Sequence, residues 1–360
     1  MPDRRHFARR RVLAALAAGA ASPALSQGFA GMGADADGFA LPSAKPRFDF
    51  PKDHGAHPNY RIEWWYVTAN LETATGALCG IQWTLFRTAM EPRETNGWRS
   101  PQIWFAHLGM TRAGEHRFAE RFARGGIGQA GATPDPFEAW IDNWSMVSRA
   151  APSQDAYSHL SLTADGGDYG YALDLQADGP LVFHGESGFS VKHHGGQASY
   201  YYSQPFYKVT GTLRWPDGPV QVTGRAWLDR EWSSQPLGEE QTGWDWFSLH
   251  FDSGEKAMVF RVRDRDGGGF FSGTWIFPDG RTEVIKDGEV TLAERDFTDI
   301  NGQPVPTAWD IAVPSRGLSI TTEPLYPRAW MGTNVSYWEG PIRMAGSHPG
   351  VGYLEMTGYA

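Results

Sequence analysis

Cysteine is nearly missing from this sequence. Cys79 is the single one in 360 residues, which excludes an internal disulfide and any multi-cysteine metal site. Stability must then come from the core itself, and Cys79 reads as a small buried strand residue. Positive charge is also short. With 32 Lys and Arg against 41 Asp and Glu, the formal net charge is -9. No basic face is present for phosphate, which argues against a nucleic-acid partner. After the N-terminal segment no apolar run is long enough for a membrane helix. The chain also lacks a G-x-S-x-G elbow, a phosphate-binding glycine loop and an H-E-x-x-H zinc motif. His54 and His57 are close enough to share a metal, but no further spaced ligands accompany them. Neither a metal nor a cofactor is expected.

What the chain has in quantity is aromatic residues and glycine: 16 Trp, 13 Tyr, 20 Phe and 43 Gly. That mix suits strands and tight turns better than helices. Trp needs a partner for its N–H when buried, so such numbers line sheets, interfaces or pockets.

Residues 1–26 read as an export signal. Arg4-Arg5-His6-Phe7 and Arg9-Arg10-Arg11 form a charged start, and Val12 to Ala21 is a short apolar run. Ala24-Leu25-Ser26 supplies the small residues that a signal peptidase reads. The paired arginines fit a twin-arginine signal, with an ordinary secretory signal as the alternative. A periplasmic or secreted location is expected, with a transient contact to a membrane surface left open. Residues 27–47 have no periodicity and read as a linker.

From residue 48 onward, short β-branched and aromatic runs alternate with turn signals. Arg61–Leu71 and Ala77–Arg87 predict one hairpin, Ile103–Thr111 and His116–Ala123 a second. Trp244–Phe251, Lys256–Arg263 and Phe270–Ile276 predict a meander. Asp-Gly steps at 178, 217, 266, 279 and 287 suit tight turns. A short helix competes only over Glu115–Arg124. The expected fold is all-β, two lipocalin-like antiparallel β-barrel domains in tandem, over residues 48–232 and 233–360.

Several clusters set charge among aromatics. Strand alternation puts Glu63 and Trp65 on one face, Trp64 and Tyr66 on the other. An inward Glu63 would have a raised pKa, or it pairs with arginine and holds the barrel. His107 lies mid-strand among apolar residues, either a hydrogen-bonded core residue or a catalyst. Tyr200 and Tyr202 share a face. Trp227, Asp229 and Glu231 share another, the arrangement in which environment splits two carboxyl pKa values into an acid and a base. Asp229 is the best candidate proton donor; ion pairing at a barrel rim is the alternative. Trp244 and Trp246 share a face, and Tyr337 opens a further aromatic cluster.

These pieces resemble those of the carotenoid 1,2-hydratase (hydroxyneurosporene synthase) and AttH-like group of secreted, lipocalin-like proteins. The matching runs are Asp53-His54-Gly55-Ala56-His57, Glu63-Trp64-Trp65-Tyr66, Phe105-Ala106-His107, Ser199-Tyr200-Tyr201-Tyr202-Ser203, Ala226-Trp227-Leu228-Asp229-Arg230-Glu231-Trp232, Gly243-Trp244-Asp245-Trp246 and Gly352 to Tyr359. The resemblance implies a pocket in or between two barrels. It also implies cofactor-free addition of water across a C=C bond, through protonation to a tertiary carbocation. Asp229 matches the position of the acid. Tyr200 and Tyr202 stand where the hydratases have a histidine and a tryptophan, a departure that bears on the carotenoid substrate itself.

Two readings follow. One is an enzyme hydrating or hydrolysing a hydrophobic, isoprenoid-like or lipid-like molecule. In it Asp229 is the acid, Glu231, Glu63 and His107 assist, and Trp65, Tyr200, Tyr202, Trp227, Trp244, Trp246 and Tyr337 meet the substrate. The other is a lipocalin-type carrier for the same class of ligand. A carbohydrate-binding surface fits less well, because the tryptophans alternate inward.

Overall fold

The computed structural model describes residues 37–235, 237–238 and 240–359. The expected export signal, residues 1–26, lies outside the described residues, as do residues 27–36 of the linker. The described chain is nearly all-β, in two lipocalin-like antiparallel sheets. Among the described residues the first sheet holds 13 strands, from Ile62 to Ser233, and the second holds 10, from Gln241 to Thr357. In the first, Leu78–Ala89, Ile62–Thr73, Gly218–Ser233 and Ala198–Trp215 lie side by side at the centre. Phe137–Ile141, near one end, curls back to meet Leu78–Ala89, Gln102–Arg112 and Glu115–Arg124 near the other, which nearly closes a barrel. The centre of the second sheet is Lys256–Asp264, Gln241–Phe251, Gly350–Thr357 and Tyr337–Gly346.

Both predicted hairpins and the meander are present, each strand within a few residues of its expected ends. Glu115–Arg124 is a strand and not a helix, paired along its length with Gln102–Arg112. The Asp266-Gly267 and Asp279-Gly280 turns need their glycines, at φ 88° and 86°. Asp178-Gly179 differs: it joins no hairpin, and its glycine is required because the Phe206 ring lies 2.5 Å from where a Cβ would sit. Cys79 is buried in the Leu78–Ala89 strand.

Alternation along Ile62–Thr73 sets out the architecture. Trp65, Val67, Ala69 and Leu71 point into the core of the first barrel, against Ile81, Trp83 and Leu85. Trp64, Tyr66 and Thr68 point the other way, yet Tyr66 and Thr68 are also buried. The second sheet covers that face: the Tyr66 ring meets Trp246 edge-on at 5.4 Å. A strand buried on both faces carries large side chains at every position instead of every other one. That accounts for the unbroken run Glu63-Trp64-Trp65-Tyr66.

Candidate active site between the two sheets

Strand register gathers the polar side chains of the covered face into rows. Asp229 lies opposite Tyr66 on one neighbouring strand and Ser203 on the other; Glu231 lies opposite Trp64 and Tyr201. On the second sheet Glu355 lies opposite Trp246 and Glu339. A cavity of about 120 Å³ separates these rows. Trp64, Tyr66, Tyr201, Trp244, Trp246 and Phe260 wall it, and Asp229, Glu231 and Glu355 open onto it. The half-buried Lys192, Gln197 and Gln235 are also part of its lining.

Asp229 is buried and touches no cation. Its Oδ1 accepts the Trp227 indole N–H at 2.6 Å and the Ser203 hydroxyl, and its Oδ2 accepts the Tyr201 hydroxyl at 2.8 Å. Burial pushes the carboxyl up to about 7, against the lowering effect of those three donors, and the neighbouring Glu231 charge pushes the same way as burial. A neutral Asp229 carries its proton on Oδ2, because Oδ1 already faces two donors. Behind Ser203 stands His184, with Nε2 2.6 Å from the Ser203 hydroxyl and Nδ1 2.9 Å from that of Thr274 on the second sheet. Burial holds His184 well below the usual histidine range, so it stays neutral.

The other acids are placed differently. Glu231 pairs with Lys192 at 2.8 Å, and that ammonium also sits 4.5 Å from the Tyr201 ring centre. Glu355 accepts the Trp244 indole N–H at 2.6 Å, and burial raises it to about 7. Glu339, deeper, accepts the Tyr66 hydroxyl at 2.8 Å; burial and the adjacent Glu355 hold it well above the usual carboxylate range.

Of the residues singled out in the sequence, Asp229, Glu231, Trp244 and Trp246 come together on this cavity. Trp227 is on the same face but acts on Asp229 and does not wall the space. Glu63, Trp65, Tyr200 and Tyr202 belong to the opposite face and are corrected here. Glu63 is fully buried in the first barrel, paired with Arg87 and Arg230. Burial works to raise its pKa, but the two guanidiniums and His57 hold it well below the usual range. The raised pKa expected for an inward Glu63 is therefore absent. Trp65 lies under the Arg230 guanidinium at 3.9 Å and donates to the His54 carbonyl. Tyr202 contacts His54 at 2.8 Å, and Tyr200 packs edge-on against Trp232. His107 and Tyr337 meet at 2.8 Å between the sheets, beside Glu120 and away from the cavity. His57 serves Glu63 and Asp53, and no group of three or more His, Cys, Asp or Glu is placed to hold a metal among the described residues.

Tyr201, Ser203, His184, Glu339 and Glu355 were missed. Tyr201, Ser203 and Glu355 stand inside runs that matched the hydratase group, Glu339 does not, and the pairing of Glu339 with Glu355 across strands is a matter of register.

The family model for AttH-like proteins matches residues 41–359. The chain belongs to the AttH-like family. A solved structure of an AttH protein from Nitrosomonas europaea is 30% identical, with a TM-score of 0.78, covering 89% of this chain and 100% of that one. Kievitone hydratase from Nectria haematococca is similar in fold, at 13% identity and a TM-score of 0.66, covering 89% of this chain and 98% of that one. No curated protein matches the sequence significantly. Outside this AttH-like cavity, the larger surface grooves are more open and lack buried acids.

Proposed function

We propose that this AttH-like protein is an exported, cofactor-independent enzyme that adds water to a hydrophobic, isoprenoid-like small molecule held between its two barrels. One observation carries the reading: Asp229, an acid raised to about 7 by burial, opens onto a cavity walled by aromatic rings. Such a carboxyl still holds its proton in about half of the molecules at pH 7 and can give it to an alkene carbon. The tertiary cation that results meets the faces of Trp64, Trp244 and Trp246, which stabilise positive charge. Water then attacks the cation and forms the alcohol. A hydratase of the same fold accords with hydration over hydrolysis. The arginines and small residues of the first 26 positions support export.

Citronellol, a small alcohol with a prenyl end, is a suitable probe. Incubation in ¹⁸O-water is expected to place one labelled oxygen on its tertiary carbon, and Asp229→Asn should slow this by about 100-fold or more while citronellol still quenches tryptophan fluorescence. Equal incorporation by both proteins would remove Asp229 from the chemistry. Binding without any incorporation by the wild type would favour the carrier.

A further inference from the structure

Asp229 supplies a proton from the first sheet, but hydration also requires a group that removes one from water. Glu231 is committed to Lys192. The remaining carboxyl on the cavity is Glu355, on the opposite wall. We infer that Glu355, holding one proton in common with Glu339, is the base that takes the proton from the attacking water. This rests on the reading of the cavity as a hydration site.

The geometry of the pair supports the assignment. Glu339 and Glu355 are directly opposite on neighbouring strands, both buried, and no cation accompanies either. Two like charges in that position repel strongly, so the pair holds at most one negative charge. The proton belongs on Glu339. Its Oε1 is already taken by the Tyr66 hydroxyl, whereas its Oε2 has no donor. A buried carboxyl oxygen without a donor is satisfied when it bears the proton itself and donates to a neighbour. Glu355 is then the charged partner, receiving Glu339 on one side and the Trp244 indole on the other. The single negative charge so placed faces the position where the cation forms, across the cavity from Asp229.

The bonds balance. The Asp229 O–H breaks and its proton forms a C–H bond, leaving a tertiary cation and an Asp229 carboxylate. Water oxygen bonds to that cation, and one water proton passes to Glu355. The alcohol leaves, and solvent carries the proton from Glu355 back to Asp229. Glu355 is the catalytic base; Glu339 is a positioning residue, which sets the charge on its neighbour without meeting the substrate.

Deuterium exchange separates the two halves of this scheme. In D2O the wild type is expected both to hydrate citronellol and to place deuterium on the alkene CH carbon of recovered citronellol, because protonation by Asp229 reverses. Asp229→Asn should lose both reactions. Glu355→Gln should lose hydration by about 100-fold and keep exchange within about threefold of the wild type. If Glu355→Gln does not fold, Glu355→Asp should lower hydration by about tenfold, again with exchange preserved. A merely structural role would lower both reactions together. Hydration by Glu355→Gln at the wild-type rate, or equal loss of exchange and hydration, would overturn the assignment and leave the hydration site standing. A wild type that performs neither reaction would remove the hydration site, and this base with it.

Discussion

Two buried carboxylates stand three residue pairs apart on paired strands and on opposite faces: Glu63 inside the first barrel and Asp229 between the two sheets. Their strands are paired, Trp65 opposite Arg230 and Tyr66 opposite Asp229. Adjacent residues of one strand thus serve two faces. On the inner face Glu63 meets Arg87 and Arg230 and is held as an anion. On the covered outer face Asp229 meets only neutral donors and keeps its proton to about 7. Burial is common to both; the presence or absence of a guanidinium decides between a structural clamp and a proton donor.

The contrast breaks most visibly at Glu63. Glu63→Gln leaves two guanidiniums buried without their counter-charge, and stability should fall by about 3–5 kcal/mol, read from urea unfolding. A loss under about 1 kcal/mol would mean that the clamp contributes little. Asp229→Asn should act in the opposite sense as pH rises. The folded acid keeps its proton until about pH 7, whereas the unfolded one, near 3.8, has already released it. The contribution is present in full below 3.8 and is lost as pH climbs through the folded value. Relative to Asp229→Asn, the wild type should therefore lose up to about 4 kcal/mol between pH 4 and pH 8. Parallel unfolding curves for the two proteins would show that Asp229 is an ordinary carboxylate. Tyr201→Phe is the smallest and sharpest change. It removes one donor that favours the charged form, so Asp229 should titrate roughly half to one pH unit higher, equivalent to about 1 kcal/mol.

The strands were legible in the sequence because turn chemistry and alternation are local properties. The hairpin at Arg61–Arg87 and the meander after Trp244 needed nothing else. Which face of those strands carries the site was not legible. Both faces of Ile62–Thr73 are buried and aromatic, so Trp65 looked as fit to wall a pocket as Trp64. Tyr200 and Tyr202 were favoured over Tyr201 for the same reason. Asp229 and Glu231 could be found because two acids beside a tryptophan are unusual on a strand. Glu339 and Glu355 could not, since neither has a second acid on its own strand face and only cross-strand register unites them.

Infrared spectroscopy of the Asp229 carboxyl across pH tests the account most directly. The difference between wild type and Asp229→Asn should contain a protonated-carboxyl band that persists through pH 6 and disappears around pH 7. A band already gone by pH 5 would contradict it, because Asp229 would then have no proton to give at neutral pH.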